Sequence, residues 1–91
     1  MFSDETKRRC VEAVREHAAV SALTNHEFKC QRPKSVEFFK IDEHKDVWGQ
    51  SDKCIYRVYD GQCYRYPFLH EAAMALEILT RGKKPVAKFA T

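Results

Sequence analysis

The sequence predicts an α+β fold: a single domain in the order α-β-β-β-α, with an antiparallel sheet covered on one face by two helices. Three observations predict it. A stretch free of Gly and Pro with one apolar stripe opens the chain, and a second striped stretch lies near its end. Between them, residues rich in β-branched and aromatic side chains fold back on themselves at Asp60-Gly61. With 91 residues, 44% of them hydrophobic and 32% charged, the chain can build one core and no more. Laying both helices on one sheet face is how this element order buries its apolar surface.

Ser3 is placed to cap the first helix, and Asp4 and Glu5 sit where the helix dipole favours acids. From there to about Leu23, Cys10, Val14, Ala18 and Ala22 fall on one stripe, flanked by Val11 and Leu23. Asn25 is the expected stop, since Asn tolerates the left-handed conformation that ends helices. Residues 26–34 read as a polar connection, with Pro33 biasing Arg32 towards extended backbone. Ser35 to Ile41 reads as the first strand and Asp42 to Asp46 as a charged connection. Val47-Trp48 has the composition to begin a short extra strand before Gly49-Gln50-Ser51-Asp52.

Lys53 to Tyr59 and Gln62 to Tyr66 then form a hairpin around Asp60-Gly61, the dipeptide suited to a two-residue type I′ turn. Pro67 fits the first turn of the second helix. That helix carries Leu69, Ala72, Ala73, Leu76 and Leu79 as its stripe, widened by Met74 and Ile78. Gly82 closes it, and Pro85 prevents resumption. Residues 1–82 therefore make the domain and 83–91 a basic tail.

A two-residue turn at Asp60-Gly61 sets Tyr59 opposite Gln62, Val58 opposite Cys63, Arg57 opposite Tyr64, Tyr56 opposite Arg65 and Ile55 opposite Tyr66. One face gathers Cys54, Tyr56, Val58, Cys63 and Arg65; the other gathers Ile55, Arg57, Tyr59, Gln62, Tyr64 and Tyr66. If the helices cover the first face, the second is an open Tyr-rich platform with one Arg, able to stack on bases or anchor a protein. On that assignment Arg57 and Tyr64 serve binding and not stability. Arg65 among apolar neighbours argues for the inverse assignment.

Net charge is +3, but of the 16 basic residues Arg81, Lys83, Lys84 and Lys88 all follow Thr80. A near-neutral body with a basic end suits contact with phosphate or an acidic protein surface. No span is apolar enough for a membrane and no secretory signal opens the chain, so a cytoplasmic protein is expected. Cys10, Cys30, Cys54 and Cys63 match no zinc spacing, so they are expected as reduced, mostly buried thiols, with no metal and no cofactor. For nucleophilic catalysis only Cys30 with His26 or His44, and Cys63 with His70, can be sketched, and none has a glycine-rich context. His17 and His70 read as surface residues. Phosphate-cradling and hydrolase motifs are missing, so no catalytic residues are assigned and a non-enzymatic protein is expected.

The α-β-β-β-α order over residues 3–82 resembles a double-stranded-RNA-binding domain. That family grips phosphates with lysines at the start of its second helix, whereas the matching stretch here is Phe68-Leu69-His70-Glu71, so that grip does not carry over. The chain is also similar in size and style to small phage-encoded inhibitors of host defence, of the anti-CRISPR type. The features behind that likeness are a Tyr-rich hairpin running straight into a helix that opens Glu71-Ala72-Ala73. The resemblance implies a binding protein that docks on a host protein or nucleoprotein complex and blocks it. Expected anchors are Trp48, Arg57, Tyr59, Tyr64 and Tyr66, with Lys29, Arg32, Lys34, Lys83 and Lys84 engaging acidic groups or phosphate. A direct RNA- or DNA-binding domain, or a small regulator, using the same residues is the alternative.

Overall fold

A computed structural model of the chain describes residues 3–23, 28–41, 46–67 and 69–86. The order is α1 (Asp4–Leu23), β1 (Phe28–Cys30), β2 (Val47–Gln50), β3 (Cys54–Tyr59), β4 (Gln62–Pro67) and α2 (His70–Thr80). The four strands form one antiparallel sheet in the order β1-β4-β3-β2. Both helices lie on one side of it, so the α+β class expected from sequence holds.

α1 begins as its sequence dictates. The Ser3 hydroxyl accepts the Thr6 backbone N–H at 3.2 Å, and Asp4 and Glu5 occupy the first turn. Arg8 joins Glu5 and Glu12 at 2.7 Å each on the solvent side, exposed pairs worth only a few tenths of a kcal/mol (about 0.3–0.5). Cys10, Val14 and Ala18 are buried as the stripe requires, and His17 is buried beside them. Asn25, the expected stop, lies outside the described residues.

The hairpin has the register that its turn imposes, from Tyr59↔Gln62 to Ile55↔Tyr66. Asp60 and Gly61 both have positive φ, 52° and 76°, which is the conformation a type I′ turn needs. β4 runs one residue further than expected: Pro67 pairs with Cys54 at the strand end instead of opening the helix. α2 starts at His70, buries Ala72, Ala73, Ala75, Leu76 and Leu79, and leaves Met74 and Leu69 largely exposed. The chain leaves the helix at Arg81, whose backbone is extended, and Gly82, at φ 78°, completes the turn that follows, closed by the Lys83 N–H donating to the Thr80 carbonyl at 3.0 Å.

Two strand assignments differ from the sequence reading. The polar connection supplies a strand, β1, on the outer side of β4. The apolar segment Ser35 to Ile41 makes only a single bridge, Phe39 with Trp48, closed by hydrogen bonds of 2.7 and 2.8 Å. Its alternation still sorts the side chains: Ile41 joins the core under the helices, and Phe38 buries on the opposite face. Val47-Trp48 does begin a strand, and β2 is the edge along which this segment lies.

Gly49 explains the close fit. A Cβ there would lie 2.7 Å from both the Glu37 carbonyl oxygen and Val36 Cγ1. The beginning of the basic tail is fastened to the same segment: the Val86 N–H donates to the Phe38 carbonyl at 2.7 Å, and Lys83 Nζ donates to the Lys40 carbonyl at 3.3 Å. We expect Gly49→Ala to cost about 1–3 kcal/mol in urea denaturation, because backbone must shift to admit the methyl. An unchanged unfolding midpoint would show that residues 36–38 are not seated on β2.

Candidate functional site

The register decides which side chains each face holds, and burial decides which face the helices take. Ile55 and Tyr66 are fully buried, as is Trp48 from β2, and all three join Val14, Ala72 and Leu76 in one core. The helices therefore cover the face expected to be open. Trp48 and Tyr66 stack in the interior at 6.3 Å between centroids, so neither is a surface anchor. The cause is volume: the Ile, Trp and Tyr side chains offer far more apolar area to bury than Cys54, Val58 and Cys63 do. Arg65, the residue that argued for this assignment, is exposed.

The outward face is only partly open. The chain from β1 at one edge to the bridge beside β2 at the other crosses it. Phe38 buries there with Val47 and Cys63, and Val36, Val58, Tyr56 and Val86 pack alongside. Burial pushes the Tyr56 phenol above its ordinary value; the nearby thiols Cys54 and Cys30 add to the shift, and a hydrogen bond to Ser51 opposes it.

Helix coverage fades toward the turn. Arg57 and Tyr64 are half-buried, and Tyr59 is 52% exposed. The Arg57 guanidinium lies 5.4–5.7 Å from the centroids of Tyr59, Trp48, Tyr64 and Tyr66. At that range each ring face attracts the cation, so four rings replace part of the water that burial removes. Arg57, Tyr64 and Lys29 are successive cross-strand partners on β3, β4 and β1. Lys29 is exposed, so the row runs from the buried Trp48 through Arg57 and Tyr64 to a surface lysine.

The remaining basic residues fall into two groups. Arg32 and Lys34 follow β1 and are exposed; Lys83 and Lys84, also exposed, lie with Lys40 beside the β2 edge. Of the expected anchors, the fold thus brings Arg57, Tyr59, Tyr64 and Lys29 to one rim and sets the others apart from it.

Of the sketched catalytic pairs, Cys63 and His70 are not brought together. His26 and His44 lie outside the described residues, and His70 opens α2 on the other side of the sheet from Cys63. Among the described residues, no group of three His, Cys, Asp or Glu side chains is placed to hold a metal.

Two buried polar groups were not legible in the sequence. Asp46, just before β2, is buried, 3.7 Å from Arg15 of α1. His17, only 6% exposed, meets the Tyr66 ring edge-on at 5.8 Å. Its Nε2 is buried with no hydrogen-bond partner among the described residues. Protonation there would bury an unpaired cation, so burial holds the imidazole below its ordinary value of 6.5, only partly offset by the Pro67 carbonyl.

No family model, curated protein or solved structure matches the chain.

Tyr66→Ala should cost about 3–5 kcal/mol in chemical denaturation and Tyr59→Ala less than about 0.5 kcal/mol. Equal effects would contradict the face assignment. Titration supplies a second check. As pH falls through 6.5, the unfolded chain binds a proton at His17 before the folded protein does. Its share of stability is complete above that pH and is lost on descending toward the lower folded value. His17→Phe should therefore flatten the dependence of unfolding free energy on pH between about 7 and 5; parallel curves for the two proteins would refute the assignment.

Proposed function

We propose that the protein is a small non-enzymatic binding module that docks on a protein assembly containing nucleic acid, in the manner of the phage-encoded defence inhibitors it resembles. The supporting observation is the rim at the hairpin end of the sheet, where Lys29, Tyr64 and Arg57 share a cross-strand row and Tyr59 projects beside them. A guanidinium held among aromatic rings keeps its charge and its planar donor fork in a fixed place, which suits a carboxylate or phosphate on a partner. Tyr59 adds rigid apolar area with a hydroxyl at its tip, the combination that anchors protein interfaces. Trp48 and Tyr66 act from beneath by holding Arg57 in position.

Lys29 and the exposed Arg32 and Lys34 extend positive charge away from this rim. Such charge speeds and orients encounter with an acidic surface more than it adds final affinity.

The test is capture of partners from a host-cell lysate, with and without nuclease. A defined protein assembly should survive nuclease treatment. A variant combining Tyr59→Ala with Lys29→Glu should lose at least about tenfold in affinity for it while keeping its thermal midpoint. Loss of every partner on nuclease treatment, with affinity that falls steeply as salt rises, would replace this reading with direct nucleic-acid binding.

A further inference from the structure

The outward sheet face carries a feature that docking does not require. Cys30 on β1 and Cys63 on β4 are direct cross-strand partners, and their sulfurs are 3.5 Å apart. Directly opposed residues in an antiparallel pair have Cα atoms roughly 4.5 or 5.5 Å apart, and both spacings lie within the range a disulfide spans. Closing the bond needs the sulfurs to approach by about 1.5 Å, which side-chain rotation can supply. Cys63 is buried and Cys30 half-buried, so a reagent has one point of entry. Cys54 is on the same face but pairs with Pro67, well along the strand, and Cys10 is in the helix-side core.

We propose that Cys30 and Cys63 form a reversible dithiol–disulfide site, oxidised by low-molecular-weight disulfides of the glutathione type. Cys30, as thiolate, attacks one sulfur of the reagent. The reagent's S–S bond breaks, one thiolate leaves, and a mixed disulfide forms on Cys30. Cys63 then gives up its proton and attacks the Cys30 sulfur, displacing the second thiolate. Two electrons pass from the protein to the reagent, and the two thiol protons end on the two released thiols. Excess thiol reverses both steps.

Burial pushes the Cys63 thiol up to about 12, with Cys30 adding to the shift and Arg32 opposing it. Burial still disfavours the Cys63 thiolate once Cys30 carries the adduct, so the second step is slow at neutral pH and quickens as pH rises. The bond would join positions 33 apart in sequence and fix the three-residue β1 to the sheet, raising the thermal midpoint by on the order of 10 °C.

The experiment treats the full chain with oxidised glutathione, quenches by alkylation and reads intact and peptide masses over time. A transient adduct on Cys30 should give way to a product two hydrogens lighter than the starting protein, with a Cys30–Cys63 linked peptide and with Cys10 and Cys54 alkylated. Dithiothreitol should restore the original mass. Cys30→Ser should give neither adduct nor disulfide, whereas Cys54→Ala should behave as the parent does. A Cys30 adduct that persists at pH 10, a bond from Cys30 to Cys54, or oxidation of Cys63 in the Cys30→Ser variant would each overturn the proposal.

Discussion

The structure depends on a two-residue turn. Asp60 and Gly61, both at positive φ, leave β3 and β4 a single register, and side-chain alternation does the rest. Ile55 and Tyr66 are sent to the helix side, where Trp48 from β2 and the stripes of α1 and α2 meet them. Val58 and Cys63 are sent to the other side, under Phe38. A slip of one residue would put Cys63 beneath the helices and Tyr66 in water. The division of side chains between core and outer face follows from that alignment, and the β1–β4 register then sets Lys29 beside Tyr64 and Cys30 opposite Cys63.

Most of the fold was legible because it is written in local signals. The capped N-terminus of α1, the turn at Gly82 that follows α2 and the hairpin register each require only neighbouring residues to specify them. What was not legible depends on neighbours distant in sequence. Phe28-Lys29-Cys30 has no alternation long enough to announce a strand, and its conformation comes from pairing with β4. Ser35 to Ile41 has strand composition, yet it lies along the sheet's edge with one bridged pair, because Phe38 and Ile41 each find a core on opposite sides.

The site was legible as a set of residues but not as a surface. Sequence gave the two faces correctly and could not weigh them against each other, since the decision rests on how much apolar area each presents to the helices. Arg57 was misleading for this reason: a charged residue on a face normally marks that face as wet. Here four rings surround the cation and the side chain is half-buried among them. His17 and Asp46 show the same limitation, being polar residues whose burial depends on partners in other elements.

The seating of residues 36–41 against Gly49 has a bearing on self-association. With Phe39 bonded to Trp48 and Val86 bonded to Phe38, one border of the sheet is already occupied by the protein's own chain. Among the described residues no strand lies beyond β1, so that border is the one they leave open to strand-to-strand addition. The geometry that forbids a side chain at one glycine thus also keeps a foreign strand away from the β2 border.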